Sequence, residues 1–406
     1  MAEKMSEVYS AYDIQINQVM RGRGAFILRT DKGLFQLKAL DGSPSRLEAE
    51  FEFKESLRAI GFDSIDYCVK NVDGELYTCD RYGNPYVLRR FFMGRECNPL
   101  NPQDIVMGVR NLAKLHQAGK EAFEKGEKDV HIRLTGDFKK KNQAIKRVNN
   151  YILKQKSKKE FEVKYLKTYD YFYEQGVSCQ IQYEKLGAWG NVTAGASNVG
   201  EYMTAGGASN VGAYMTAGGA SNVGGYMTAG GASNVGAYMA AGGASNVGAN
   251  ITAGGATVAG MESGEGDGGA THLGYCHGMY NHHSLVMTEE PGAPVGTIAF
   301  DKFYLGNQMD DLYHYARKVV EKNDYSFSVL NTILEEYDKV NALTKEDYQY
   351  IYISYLYPEK FYKLANQYMN GSKNWLSPKL LEKLDRYIAD EGKKQYLLDK
   401  MKKMYL

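Results

Sequence analysis

The alternation of hydrophobic and polar positions gives the chain a β-rich beginning. Short apolar runs at 26–29 and 34–40 flank one turn sequence, and a second pair at 75–80 and 86–92 flanks another. Paired runs of this kind, separated by Gly, Asp, Asn or Pro, are typical of antiparallel hairpins. The pattern therefore predicts a small antiparallel sheet near the N-terminus.

Helices are predicted between the two hairpins and throughout the rest of the chain. Residues 45–60 have apolar positions at helical spacing, and Gly61 follows them, a residue common just after helix ends. From Asn101 onward the pattern is helical, with a long charged region at 139–175 and a Lys- and Tyr-rich region at 310–406. The order predicts an α+β fold with a small β lobe and a helical lobe.

A glycine-rich repeat interrupts the helical part. Residues 187–271 hold more than half of the chain's 44 glycines, and the triplet Ser-Asn-Val recurs every 12 residues from Ser197. Each unit offers little apolar surface against the entropy of ordering several glycines, which favours a flexible insert over a short β-solenoid. The predicted organisation is a β lobe at 1–93, a helical lobe at 94–186 and 272–406, and the insert between them.

Composition and charge exclude several classes of protein. The 406 residues include 49 Lys and Arg against 48 Asp and Glu, a net charge of +1, which argues against nucleic acid as a partner. No stretch approaches the ~20 apolar residues of a membrane span, and the N-terminal sequence has no signal-peptide pattern. The 5 scattered cysteines fit reduced thiols. We expect a protein made in the cytoplasm, without a membrane partner.

Several residues of the β lobe are candidates for phosphate binding. Gly22 and Gly24 lie between two strand patterns, where bare backbone N–H groups can cover phosphates. Lys38 lies in an apolar strand and Glu50 on the next helix, the order in which kinases pair a lysine and a glutamate at the phosphates. Each feature also has a structural interpretation, because hairpin glycines usually make the turn and strand lysines are usually solvated.

A histidine-rich segment follows the insert and has the layout of kinase catalytic and metal-binding loops. His277 and Gly278 open it, and an apolar run that ends in Asp301 comes next. A zinc site is the competing interpretation, although no matching cysteine pair lies nearby. Its potential ligands fall within twelve residues: His272, Cys276, His277, His282 and His283.

Five segments in the two flanks of the insert form a recognisable set. They are M-G-R-E-C at 93–97, L-A-K-L-H at 112–116, H-G-M-Y-N-H-H at 277–283, D-L-Y at 311–313 and Y-L-Y-P-E-K-F at 355–361. Together these motifs resemble the CotS-type spore coat proteins, which are similar in fold to aminoglycoside and choline phosphotransferases. The resemblance covers both flanks of the insert and implies a bilobal protein-kinase-like fold. It also implies a structural or assembly role in the endospore coat, with other coat proteins as partners.

The chain departs from the phosphotransferase pattern where the chemistry takes place. Enzymes of this type carry H-G-D-x-x-x-x-N, in which Asp deprotonates the acceptor hydroxyl and Asn holds Mg²⁺. Here Met279 stands at the Asp position and Ser284 at the Asn position, and methionine has no proton affinity. Asn281 can orient a hydroxyl but is not a base. Asp301 remains as the predicted metal ligand.

The sequence therefore predicts a catalytically degraded kinase-like protein. ATP and Mg²⁺ are the cofactors that the remaining residues would take, and an ATP- and Mg²⁺-dependent phosphotransferase acting on a small hydroxyl- or amine-bearing substrate is the alternative. The degraded loop comprises His277, Met279, Asn281 and Ser284; the cofactor residues are Gly22, Gly24, Lys38, Glu50 and Asp301.

Deletion of residues 190–269 is expected to leave the flanks folded, with a melting temperature within a few degrees of the full chain. Few large apolar side chains would lose contacts, and each halving of a flexible loop changes its closure entropy by only ~0.6 kcal/mol. Thermal unfolding and limited proteolysis measure this. An unfolded deletion variant, or a repeat as protease-resistant as its flanks, would establish an ordered insert instead.

Overall fold

The computed structural model describes residues 5–22, 24–125, 138–186, 272–288, 294–371 and 378–406. The chain divides into two compact units, one formed by Met1–Tyr183 with Thr271–Leu406 and the other by Glu184–Ala270. The predicted repeat insert at 187–271 lies outside the described residues. Its flexibility therefore stays a prediction. Both predicted lobes belong to the first unit.

An antiparallel sheet forms the first lobe, as the hydrophobic pattern predicts. Among the described residues its strand order is β1-β2-β3-β6-β4, and β5 also pairs with β6. In the second predicted hairpin, the run at 75–80 contributes only the two residues Thr78–Cys79 to the sheet. The strands are β1 (Ile16–Gly22), β2 (Ala25–Thr30), β3 (Gly33–Ala39), β4 (Cys68–Val69), β5 (Thr78–Cys79) and β6 (Pro85–Arg90).

One face of this sheet packs against the short N-terminal helix α1 (Ser6–Ser10). Leu28, Leu37 and Leu88 are fully buried there, and Val8 of α1 lies over them. Burial of each such side chain stabilises the lobe by ~1.5–3 kcal/mol. The period-2 alternation of the sequence places these residues on one side.

Helix α2 (Pro44–Ala59) follows β3 along the chain. Ser43 caps its N-terminus by accepting a hydrogen bond from Arg46 N, and proline occupies its first turn. It ends before Gly61, whose φ of 90° suits glycine. The predicted helix at 45–60 is thus present, and it carries Glu50 and Lys54 on its buried side.

The second lobe is helical. The charged region predicted as helical at 139–175 forms two helices, with a break at 154–159. The helices are α3 (Pro102–Lys125), α4 (Phe138–Leu153), α5 (Glu160–Lys185), α6 (Met309–Lys322), α7 (Phe327–Asp338), α8 (Lys345–Leu356), α9 (Glu359–Asn370) and α10 (Pro378–Tyr405).

Aromatic side chains fill much of this lobe's core. Tyr165 of α5 stacks on Phe361 of α9 with ring centroids 4.6 Å apart, and its hydroxyl donates to Ile145 O of α4 at 3.1 Å. A tyrosine that satisfies its hydroxyl in this way is a good core residue. Much of the tyrosine content therefore serves packing.

Two small sheets, which no alternation in the sequence predicts, position the loops after the insert. One has the order β10-β9-β7 and the other pairs β8 with β11, and a 3₁₀ helix, His282–Ser284, leads into β9. Their strands are β7 (Arg95–Glu96), β8 (Leu273–Cys276), β9 (Leu285–Met287), β10 (Gly296–Thr297) and β11 (Tyr304–Asn307).

Gly94→Ala is expected to lower the free energy of unfolding by at least ~2 kcal/mol. Gly94 precedes β7, and an added Cβ would overlap the Met287 carbonyl group of β9. Gly392→Ala on α10 is the matched control, because nothing lies within 4 Å of its added Cβ. It should stabilise the helix by ~0.5–1 kcal/mol. Denaturant unfolding compares the two, and equal effects would contradict this packing.

Candidate functional site

A buried carboxylate holds the histidine-rich loop in place. Asp311, at the start of α6, accepts the backbone N–H of His277 at 2.5 Å and that of Gly278 at 2.9 Å. Burial alone would raise the pKa of Asp311, but three neighbouring histidines together outweigh it and the net shift is downward. The largest of these contributions comes from His116, whose Nε2 lies 3.6 Å from Asp311 Oδ2, and His277 and His314 add to it. Asp311 is therefore an ionised structural anchor of the loop.

His277 is a buried, neutral histidine with both ring nitrogens used. Nε2 donates to Ile298 O at 3.0 Å, and Nδ1 accepts from Met279 N at 3.2 Å. Burial lowers the pKa of this imidazole. The ring also packs on Phe300, with centroids 4.4 Å apart. His277 thus fixes the loop and the Phe300 segment relative to each other.

The three positions that follow do not assemble an acid–base site. Met279 is 52% exposed. Asn281 and Ser284 close the 3₁₀ helix as a capping box: Asn281 Oδ1 accepts from His283 N at 2.9 Å, and Ser284 Oγ accepts from Asn281 N at 3.0 Å. Ser284 is also buried, and its hydroxyl donates to Asn281 O at 2.8 Å. The Ser284 hydroxyl thus makes both of these hydrogen bonds to the backbone of Asn281.

Asp301 follows Phe300 instead of preceding it. In the D-F-G order of kinases the metal-binding aspartate comes directly before the phenylalanine. Here Ala299 holds that place, with a φ of 69° that is uncommon for alanine, and its N–H donates to Asp66 Oδ2 at 2.9 Å. Asp301 therefore lies one position after the phenylalanine. We call the region where it meets Arg89 and Lys38 the cleft.

A buried network of ion pairs lies beneath α2. Lys54 Nζ lies 2.5 Å from Glu50 Oε1 and 2.7 Å from Asp66 Oδ1. The second carboxylate oxygen of Glu50 lies 3.0 Å from Arg89 Nη2 on β6. Burial alone would lower the pKa of Lys54 and of Arg89, but the surrounding carboxylates outweigh it, and the net shift of both is upward. Both cations therefore stay charged.

The network continues to Asp301 and ends there. Arg89 Nη2 lies 3.5 Å from Asp301 Oδ1, and Lys38 Nζ lies 3.6 Å from Asp301 Oδ2. Burial would raise the pKa of Asp301, but Arg89 and Lys38 outweigh it and hold this pKa below its ordinary value. The cleft thus holds three cations against three carboxylates, and each oxygen of Asp301 already faces a positive charge.

The sequence-predicted pair of Lys38 with Glu50 does not form within the described residues. Lys38 contacts Asp301 instead, because Lys54, one helical turn after Glu50, and Arg89 occupy the two oxygens of Glu50. Lys54 and Arg89 were not among the residues predicted from the sequence. A lysine four residues after a glutamate on one helix was the available signal.

Gly22 and Gly24 lie in the hairpin that joins β1 to β2. Gly22 pairs with Ala25 at the end of the ladder, and Gly24 has a φ of 70°, which a turn requires and glycine allows. Their structural role is therefore explained, and phosphate contact by these residues stays a prediction.

The five residues of the sequence-predicted zinc cluster do not form one ligand group, although His282 and His283 lie together with ring centroids 4.0 Å apart. His272 Nε2 contacts Asp347 and Ala342 O, Cys276 is buried, and both ring nitrogens of His277 are used within the loop. Among the described residues, one group of three potential ligands lies within reach of a single ion: Glu96, His282 and His283.

Solved structures of phosphotransferases and kinases match the fold of this chain. An aminoglycoside phosphotransferase from Alicyclobacillus acidocaldarius matches with a TM-score of 0.67 and 14% identity, over 98% of this chain and 96% of that one. The chain has a kinase-like phosphotransferase fold. A spectinomycin phosphotransferase in complex with ADP and spectinomycin matches this fold with a TM-score of 0.56 and 10% identity, over 97% of this chain and 98% of that one.

An amicoumacin kinase in complex with AMP-PNP, Ca²⁺ and Ami has the same fold, with a TM-score of 0.51 and 12% identity over 98% of this chain and 93% of that one. The kinase-like α+β architecture predicted from the sequence is thus confirmed.

No protein-family model matches the chain, and no curated protein matches it in sequence. Of the helices in the described residues, none has the length and apolar character to cross a membrane.

Lys54→Met is expected to lower the free energy of unfolding by ~3–5 kcal/mol, because Asp66 and Glu50 would stay buried without this counter-ion. Lys32→Met is the matched control, since Lys32 pairs with Asp13 at 2.7 Å in solvent, where ion pairs contribute little. Urea denaturation at neutral pH compares the variants. Similar losses in both would show that the buried network does not stabilise the lobe.

Proposed function

We propose that this chain is a kinase-like protein that does not transfer phosphate. The observation that carries the proposal is the state of Asp301, whose two carboxylate oxygens face Arg89 and Lys38. Phosphoryl transfer needs metal ions that neutralise the charge of the phosphates. A Mg²⁺ ion at Asp301 would have to displace both side chains from a network that is already neutral.

The loop that would supply the base supports the same proposal. Met279 cannot accept a proton, and the hydroxyl of Ser284 is held within the capping box. Ala299 stands where the D-F-G order places its metal ligand. Each position that would perform chemistry is thus occupied by a residue that stabilises the loop or is chemically inert.

A structural or assembly role in the endospore coat, with other coat proteins as partners, is the finer part of the proposal. It rests on the sequence resemblance to the CotS-type proteins. Fractionation of purified spores of the source organism tests it. Recovery of the chain in the coat extract is expected, and its absence from that extract would contradict this part while leaving the chemical part untouched.

An ATP-dependent phosphotransferase is the second candidate, and the fold favours it. The spectinomycin phosphotransferase of similar fold binds ADP and spectinomycin, and the amicoumacin kinase binds AMP-PNP. Lys38 and Arg89 also offer positive charge in the cleft. This candidate requires that the ion pairs of Asp301 open when a nucleotide and Mg²⁺ bind.

The purified chain is expected to show no ATP-dependent phosphorylation of spectinomycin, other aminoglycosides, choline or itself. Any shift of the melting temperature by ATP should be the same with and without Mg²⁺ and should decrease in Lys38→Ala. Radiolabelled phosphate transfer and thermal unfolding measure these. Turnover that Asp301→Ala abolishes, or a shift that requires Mg²⁺, would contradict the proposal and favour the phosphotransferase.

The combined variant Met279→Asp, Ser284→Asn and Ala299→Asp restores the missing acidic and amide groups. Aspartate tolerates the positive φ of position 299 better than most residues. If the cleft still binds ATP, this variant is the shortest route to measurable transfer, and the same radiolabel assay measures it.

A further inference from the structure

We propose that Glu96, His282 and His283 form a binding site for a divalent metal ion of the zinc type. Two of its three ligands belong to the histidine-rich loop, and the site shares no residue with the ion-pair network of the cleft. It is therefore independent of whether the protein transfers phosphate.

The three side chains converge from two neighbouring segments. Their potential ligand atoms all lie within 4.8 Å of one another, and His283 Nδ1 already contacts Glu96 Oε1. Ligands of a tetrahedral zinc ion lie roughly 3.4 Å apart, given metal–ligand bonds of ~2.0–2.2 Å. The side chains of His283 and Glu96 are 60% and 53% exposed, so rotation about their side-chain bonds can close the remaining distance.

The backbone that presents these ligands is fixed by hydrogen bonds. Glu96 on β7 pairs with Val286 on β9, and Cys97 N donates to Leu285 O at 3.2 Å. The capping box of Asn281 and Ser284 forms the 3₁₀ turn that carries the two histidines. Ligands held on paired strands and a capped turn need little ordering when an ion binds.

His282 supplies an independent reason to expect a ligand. Its side chain is mostly buried, and its Nδ1 has no hydrogen-bond partner among the described residues. Buried ring nitrogens without a partner are uncommon. An ion that coordinates this nitrogen would satisfy it.

The ligand set favours zinc over the ions that serve phosphoryl transfer. Two imidazoles and one carboxylate match the nitrogen and oxygen donors of zinc sites, whereas Mg²⁺ and Ca²⁺ prefer oxygen ligands throughout. Three protein ligands leave one position open for water or an external ligand. A bound ion would also join β7 to the loop that contains Met279.

The test is calorimetric titration of the full chain with ZnCl₂, together with the visible absorption of the Co²⁺-loaded protein. One ion per chain and a tetrahedral Co²⁺ spectrum are expected. His283→Ala and Glu96→Gln should each weaken binding by at least roughly tenfold, since even loss of an outer partner of a zinc ligand costs that much. Both residues are exposed, so both variants should fold, unlike replacements of the buried His282.

His131→Ala and Glu174→Gln are the matched controls, each removing a side chain of the same type elsewhere in the chain. They should bind zinc as the parent chain does. Absence of stoichiometric zinc binding by the parent chain, unchanged affinity in both His283→Ala and Glu96→Gln, or loss of binding in His131→Ala would overturn the proposal. None of these outcomes bears on the phosphate-transfer assay.

Discussion

The ammonium group of Lys54 is completely buried, and the arrangement of the cleft follows from the need to compensate its charge. A buried cation without a partner is costly, so Glu50 and Asp66 must both approach it. Glu50 in turn holds Arg89, and Arg89 holds Asp301. One desolvated charge thus links α2, the strand β6 and the segment after Phe300.

Such a network contributes less to stability than its number of ion pairs suggests, because the Coulomb attraction mainly offsets the desolvation of each group. The stronger effect of the network is that it disfavours other arrangements of the same side chains. Any rearrangement that moves Arg89 away from Glu50 or Asp301 leaves a carboxylate with fewer partners in a place that water reaches poorly. The cleft is therefore specified in one arrangement, in which both carboxylate oxygens of Asp301 face a cation.

In the loop after the insert, the side chains that fix the backbone are not those at the positions compared with a catalytic base and a metal ligand. Asp311 and His277 bind backbone groups, and they retain the residue types that shape a kinase-like loop. Met279 is exposed, and the hydroxyl of Ser284 is held within the capping box. Backbone hydrogen bonds and proton transfer depend on different side chains, so the geometry of this loop does not require a base at position 279.

The sequence by itself determined the β lobe, helix α2, the helical second lobe and the absence of a base at position 279, because local periodicity, capping residues and residue chemistry carry that information. It also singled out Lys38, Glu50 and Asp301. Only the tertiary structure decided that Lys38 pairs with Asp301 while Glu50 pairs with Lys54 and Arg89. Partner choice among buried charges depends on which side chains reach each other through space, and Glu50 and Arg89 are 39 residues apart in the chain. The same reason brings Glu96 to His283, 187 residues away, which no spacing in the sequence could indicate.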